Sequence, residues 1–400
     1  MRKIVLFTAY YPYGTGEQFL TLEVRHLSKS FDLVIVPLSS GKTNPRMEAA
    51  NVRIYPPILP SNIVKRLFNA GLVRLIGFKS LLIIFKELLR TRLHCRRVIH
   101  LLRAIDNISN LIGNRSVQML LESLREEDFI YFYWGHGAAY ALPFMTSLNA
   151  KKVMRVHGGD LYENIHCNYS PFREIQLETL DWLLPISDHG NQYIRSRYPK
   201  SNFRSAVLRL GTVYHDDISK RSVDKIFRIV SCSSLVPEKR VPLIITILNE
   251  IQIDLHWIHM GGNKETLHRY SVNRLSNKRV SCTFTGQIPH EEVFKFYKNK
   301  PVDLFINVSS SEGVPVSIME AQSFGIPIIC TDVGGTKEII STESGVVLPK
   351  DFDPKMAARI IEDIARGTIC FDEKAIKENW YRISSENVCF EKLKSFFLES

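Results

Sequence analysis

Cysteine is scarce in this chain. The seven that occur (Cys95, Cys167, Cys232, Cys282, Cys330, Cys370 and Cys389) are odd in number and never form a C-x-x-C pair. That spacing argues against a disulfide framework or a paired-cysteine zinc site and suits a reducing compartment. Cys232, Cys282 and Cys330 lie within apolar, strand-like runs, where cysteine behaves as a small hydrophobe. Long apolar runs are missing as well: no stretch of about 20 uncharged apolar residues is present, so nothing is expected to span a membrane. The opening MRKIVLFTAYYP has the look of a secretion signal, but its apolar run stops at Pro12 without a small-residue cleavage site. It reads as a buried first strand. Internal repeats, low-complexity tracts, a helix-turn-helix pattern and an aromatic RNA-binding signature are also missing, so no nucleic acid partner is expected.

What is present suffices for two cores. The chain has 400 residues, 45% hydrophobic and 10% aromatic, which excludes global disorder and gives two domains as the prior. A formal net charge of +11 favours anionic partners such as phosphorylated ligands or anionic lipid. In the C-terminal half, short apolar runs alternate with helical ones. IFRIVS (226–231), DLHWIHMGG (254–262), VSCTFTG (280–286), VDLFINV (302–308), IPIIC and SGVVLP read as strands. The N-terminal half does the same less cleanly, with KIVLFT, DLVIVPL, FIYFYW (129–134), KKVMRV (151–156), WLLPIS (182–187) and RSAVLRL (204–210). Apolar strands separated by helices imply parallel sheets covered on both faces. The expected class is therefore α/β, with two Rossmann-like doubly wound domains facing each other across a cleft. The expected boundaries are 1–213 for an N-terminal Rossmann-like domain, with a helical insertion at about 61–125, and 214–225 for a linker. A C-terminal Rossmann-like domain follows over 226–375, and a helical tail at 376–400 is expected to pack back on the N-terminal domain.

The stretch SSSEGVPVSIMEAQSFGIPIICTDVGG (309–335) carries the chemistry. A strand ends at Ser309–Ser311, and Glu312-Gly313 form a tight turn. Pro315 suits a first helical position, and Gly325 a helix C-terminus. Gly313 lets backbone approach a ligand, and the free amides of the first helical turn attract phosphate. Carboxylates repel phosphate, so Glu312 and Glu320 make better sense as acceptors for sugar hydroxyls. Hydroxyl, diphosphate and hydroxyl in series describe a nucleotide-sugar.

Glu312 and Glu320 form an E-x7-E pattern, and with SSEGVPVSIMEAQSFGIPII and VGGTKEII they make the chain resemble the retaining glycosyltransferases of family 4, which have the GT-B fold. VSCSSLVPEKRVPLI (230–244) resembles the phosphate-binding loop of that family, and HWIHMGG and CTFTGQIPHEEVFKFY the segments after it. RVHGGDLYE (155–163), VLRLGTV (207–213) and YYPYGTGEQFLTLEVRHLSK (10–29) add matches in the first domain. FYWGHGAAYALP and LPISDHGNQYI are similar to the branch that builds bacterial surface polysaccharides. The resemblance implies catalytic roles for Glu312 at the transferred sugar, His157 lining the sugar site and Lys239 neutralising the diphosphate. It implies donor binding by Glu320 at the ribose with Gly313, Val314, Pro315, Val316, Arg240, Ser234 and Gly262. Gly14, Gly16 and Glu17 fall in an acceptor or sugar loop. Many relatives have an arginine where this chain has Ser234, a loss that Arg240 or Arg209 would have to make good. The implied partners are a nucleotide-sugar donor and a lipid-linked or polysaccharide acceptor, with no cofactor. No metal is implied, because Lys239 and a helix terminus supply the positive field, and no D-x-D metal motif is read. A dinucleotide site at Gly14 and Gly16 is disfavoured by Phe19, which stands where a third glycine belongs.

Two readings of the insertion stay open. On a helical wheel Lys79, Lys86, Arg90 and Arg97 share a stripe, with Leu81, Ile84, Phe85, Leu88 and Ile99 opposite and Arg92 as an exception. Such a helix either contacts anionic membrane peripherally or packs on its own domain with solvated charges. The expected location is cytoplasmic, at the inner face of the cell membrane. The functional alternatives are a non-catalytic GT-B scaffold of a polysaccharide assembly complex and a nucleotide-sugar epimerase.

Overall fold

The computed structural model of the chain describes residues 1–14, 16–40, 51–59 and 78–400. The chain divides into two compact units, Met1–Leu208 with Phe390–Ser400, and Arg209–Cys389.

In the first unit six strands pair in parallel: β1 (Lys3–Thr8), β2 (Asp32–Pro37), β3 (Val52–Ile54), β4 (Phe129–Phe132), β5 (Lys151–Val156) and β6 (Trp182–Pro185). Their spatial order is β3-β2-β1-β4-β5-β6. Alternate residues of β1 serve opposite faces. Val5 and Phe7 join one core, and Ile4 and Leu6 the other. Both faces are dry, which is why KIVLFT reads as an unbroken apolar run rather than an alternating one. The short β3, three residues long, is too brief to be legible in the sequence. RSAVLRL, expected as a strand, is not one. It runs beside β6 through Leu183 N–H to Arg204 O (2.9 Å) and Ala206 N–H to Leu183 O (3.0 Å), but closes only one isolated bridge. Within the insertion, helices span Phe78–Arg90, Cys95–Gly113 and Arg115–Glu122; its residues 61–77 lie outside the described residues.

The second unit repeats the design with β7 (Phe227–Cys232), β8 (Leu255–Met260), β9 (Val280–Gly286), β10 (Leu304–Asn307), β11 (Ile328–Thr331) and β12 (Gly345–Leu348), in the order β12-β11-β10-β7-β8-β9. Counted within each unit this is the same 3-2-1-4-5-6 winding. The order reverses between β1 and β4 in the first sheet and between β7 and β10 in the second. Ligands of such sheets sit beyond the carboxyl ends of the strands at that reversal.

Two expected boundaries shift. The polar segment 214–225 is not a free linker. Ser219 N–H donates to Phe324 O (2.8 Å), Lys220 O accepts from Val302 N–H (2.9 Å), and Ser222 donates through N–H (2.8 Å) and Oγ (2.6 Å) to the Asp303 carboxylate, all within the second unit. Polar composition suggested solvent exposure, whereas the groups are spent on partners. The final helix, Glu386–Glu399, ends in the first unit, where Phe390, Leu393 and Phe397 are buried beside Phe31, Phe129 and Tyr131. Among the described residues no helix is long and apolar enough to cross a membrane.

Candidate functional site

At the reversal point of the second sheet, the loops after β7 and β10 are laced together. Beyond β7 the chain forms a short turn, Pro237–Lys239, and enters the helix Val241–Asn249. Ser310 N–H donates to Glu238 O (2.7 Å), fixing one loop on the other. Gly261 and Gly262, at φ +103 and +68, make room for this arrangement. A Cβ on Gly261 would sit 2.4 Å from Ser233 O, and one on Gly262 2.4 Å from the Leu235 side chain. Only glycine permits both the conformation and the approach.

After β10 the helix Val316–Ser323 begins. Pro315, expected as its first residue, is instead the extended residue before it (φ −75°, ψ 109°). The amides of Val316 and Ser317 open the first turn, where helical N–H groups have no intrahelical acceptor. Gly313 O accepts from Gly335 N–H (2.7 Å), which ties the turn to the Gly-Gly loop after β11. The helix closes as anticipated: Gly325 (φ +72) donates to Gln322 O (2.9 Å) and Ile326 to Ala321 O (3.2 Å).

Each glutamate of the E-x7-E pattern holds a basic partner. Lys239 Nζ lies 2.6 Å from Glu312 Oε1, which also accepts from Asn307 Nδ2 at 3.3 Å. The Glu312 side chain is only 9% exposed and that of Lys239 25%. Glu320 Oε1 lies 2.5 Å from His290 Nε2, and its side chain is 8% exposed. The hydrogen bond to Glu320 raises the His290 pKa above 6.5 against the opposing effect of burial. His290 carries no signal in the sequence. In HEEVFKF it looks like an ordinary first residue of a helix, which it also is. The pairing of Lys239 with Glu312 is unforeseen too, since sequence places Lys239 opposite the diphosphate alone.

Arg240 is a correction. Its left-handed backbone (φ 46) turns the guanidinium onto main-chain carbonyls: Val308 O at 2.6 Å, Lys350 O at 3.0 Å and Ser309 O at 3.1 Å. It clasps the loop after β10 instead of facing a ligand. Arg209 is likewise engaged, 2.6 Å from Glu338. Neither substitutes for the missing arginine at Ser234, which is exposed. A D-x-D spacing does occur, at Asp351-Phe352-Asp353, contrary to the expectation from sequence. Asp353 caps the helix Pro354–Ala365 through Lys355 N–H (3.0 Å), and Asp351 is exposed 4.0 Å from Arg240.

The first unit has its own cavity at its reversal point, of about 570 Å³, lined by Thr8, Ala9 and Tyr10 after β1 and by Trp134 and His136 after β4. Gly14 takes φ +66, and among the described residues nothing beyond the chain neighbours lies within 4 Å of a Cβ built on it or on Gly16. Glu17, expected to face acceptor or sugar, is buried and accepts from Tyr10 and Tyr11 N–H (2.6 Å each), Ala9 N–H (3.2 Å) and the Trp134 indole. It organises the loop rather than lining an open site. His157 packs against Trp134 and Tyr133, with ring centroids 4.4 and 4.8 Å away. Its two ring nitrogens are buried without a partner among the described residues. Burial and the Arg155 charge hold its pKa well below 6.5, so the ring is neutral near pH 7. Beside it, Asp160 accepts from His157 N–H at 2.6 Å and from Gly135 N–H, and burial pushes its pKa up to about 6.

Comparison with known proteins bears on this geometry. Residues 216–380 match the family model "Glycosyl transferases group 1", which spans the paired glutamates and Lys239. The O-antigen biosynthesis glycosyltransferase WbnH of Escherichia coli is 30% identical over 114 residues, 28% of this chain and 31% of that protein. The chain spans between a fifth and a third of the length of the first curated relatives it matches. Among solved structures, the lipopolysaccharide outer core galactosyltransferase WaaB superposes with a TM-score of 0.71 at 15% identity, over 100% of this chain and 99% of the other. Anabaena HepE in complex with UDP does so with 0.65 at 14% identity, over 100% of both. The chain has the GT-B fold of two Rossmann-like units, and its second unit matches the group 1 glycosyl transferases.

Proposed function

We propose that the chain is a retaining hexosyltransferase that moves a sugar from a nucleoside-diphosphate sugar to a lipid-linked or growing surface-polysaccharide acceptor, on the cytoplasmic side of the cell membrane. The observation that carries this is the Lys239–Glu312 pair, 2.6 Å apart, held at the sheet's reversal point beside the open first turn of the helix Val316–Ser323. Breaking the bond between sugar and diphosphate places negative charge on the leaving group and positive charge on the ring. Lys239 and the amides of Val316 and Ser317 stabilise the first, and such preorganised donors are worth about 3 kcal/mol each. Glu312, released from part of its contact with Lys239 as the diphosphate arrives, accepts hydroxyls of the transferred sugar. Glu320 takes the ribose hydroxyls on Oε2, which holds no hydrogen bond among the described residues, while His290 fixes Oε1. Since lysine and helix amides supply the positive field, the step needs no metal. The UDP held by the HepE structure supports a nucleoside diphosphate as the ligand of this fold.

The test is a panel of nucleotide-sugars offered with lipid-linked and oligosaccharide acceptors, following nucleotide release and the anomeric configuration of the product by NMR. Acceptor-dependent release with an unchanged anomer is expected. An inverted product rejects retention. Interconversion of free nucleotide-sugars without acceptor points to an epimerase, and binding without turnover points to a scaffold.

A further inference from the structure

The helices Phe78–Arg90 and Cys95–Gly113 meet at a tight turn in which Arg92 and Leu93 both take left-handed backbone (φ 50 and 55). Ile83 and Ile84 pack inward with Leu101, Ala104 and Ile108. One inward stripe is what a surface helix needs. Here a further apolar set remains in water: Leu81, Phe85, Leu89, Leu93, Ile99 and Leu102, from 46% to 79% exposed, with Leu93 at the turn the most exposed of them. Concentrations of exposed apolar side chains mark interaction surfaces.

The charge on the two helices near the turn is mostly positive. Residues 80–103 carry six cationic side chains and a single carboxylate, Glu87. Glu87 is buried, and desolvation raises its pKa, so it adds little negative field outside. Arg90 is drawn off to Glu174 (2.8 Å) and Arg97 to Cys167 O (3.0 Å). Lys86, Arg92 and Arg96 are exposed and form no ion pair among the described residues. A second copy of the chain would bring like charges together at this face. An acidic protein would satisfy the cations but has no need of Leu89 and Leu93 between them. An anionic bilayer satisfies both features with one occupant, its phosphates for the cations and its acyl boundary for the leucines.

We propose that this helical turn docks the chain on an anionic lipid bilayer, with Leu89 and Leu93 entering the interface and Lys86, Arg92 and Arg96 meeting lipid phosphates. Docking would bring the chain to a lipid-linked acceptor, but it stands independently of the transferase assignment, because it involves none of the donor-site residues.

The experiment is sedimentation of the full chain with phosphatidylcholine vesicles containing or lacking phosphatidylglycerol, in the absence of donor and acceptor. The chain should pellet with the phosphatidylglycerol vesicles, less so with phosphatidylcholine alone, and less as salt rises. The double changes Leu89→Glu with Leu93→Glu, and Arg92→Glu with Arg96→Glu, should each weaken partitioning by roughly thirtyfold or more. All four sites are exposed, so the thermal midpoint and transfer to a soluble acceptor should be unchanged. The proposal is overturned if the wild-type chain stays in the supernatant, or if both double variants pellet as the wild type does. A chain that fails to pellet yet dimerises through Leu89 and Leu93, shown by light scattering, also overturns it and assigns the face to a second copy. Loss of sugar transfer with vesicle binding intact would count against the transferase reading alone.

Discussion

Replacing Lys239 with alanine removes the ammonium from a nearly buried carboxylate and, on the proposed function, from the leaving diphosphate at once. The expected outcome is a fall in kcat/KM of about 10²–10³, measured by nucleotide release, in line with the loss of one preorganised donor. A change under threefold would detach Lys239 from the chemistry. His290 tests the other pair. Its folded pKa is raised by the hydrogen bond to Glu320, so the stability it contributes is full below its ordinary value of 6.5 and disappears as pH rises through the raised value. The gap in unfolding midpoint between wild type and His290→Gln should therefore be largest below pH 6.5 and shrink above it. With the His290 side chain 42% exposed, the gap is modest. A gap that grows with pH contradicts the assignment. At this scale the sequence is informative where residue type and position are both constrained. Glu312 and Lys239 meet at the reversal point, within loops whose hydrogen bonds fix them, and Glu320 lies in the helix that follows. Arg240 misleads because a basic residue beside a phosphate loop has two uses, and only its left-handed backbone shows that it serves the carbonyls. His290 is hidden because its partner lies 30 residues away.

Among the elements, the loop after β8 is a tightly constrained part of the second unit. Gly261→Ala places a Cβ against a backbone oxygen at 2.4 Å and imposes an unfavourable φ, so the Ser233–Leu235 loop must shift. A loss of about 2 kcal/mol or more is expected in denaturant unfolding, together with weaker nucleotide binding. Gly14→Ala meets no atom within 4 Å among the described residues beyond its chain neighbours and bears mainly the backbone cost, about 1 kcal/mol. Equal costs at the two sites would undo this contrast. The strands were legible because both faces of each sheet are dry and apolar runs result. RSAVLRL has the composition of a strand but closes only one isolated bridge with β6, and β3 has too few residues to show a period. A buried ion pair was beyond reach: Arg155 lies 2.7 Å from Glu23, completely buried, although RVHGGD reads as strand and loop alone.

On the scale of the whole molecule, the chain's last residues belong to its first core. Ending the chain at Cys389 removes Phe390, Leu393 and Phe397, each at most 1% exposed, from beside Phe31, Phe129 and Tyr131. The burial lost is on the order of 5 kcal/mol, comparable to the whole stability of a domain. Hydrogen exchange of β1 and β4 amides should accelerate strongly in the truncated chain while β7 and β10 stay protected. Uniform protection in both sheets would contradict this.

The most direct test of the donor site is calorimetry of nucleoside diphosphates with the wild-type chain and with Glu320→Ala. Saturable binding of at least one nucleoside diphosphate is expected, weakened at least tenfold when the Glu320 carboxylate is removed and unaffected by added magnesium. Wild-type affinity in Glu320→Ala, or no binding of any nucleotide by the wild-type chain, would contradict a donor pocket at the β7–β10 reversal point.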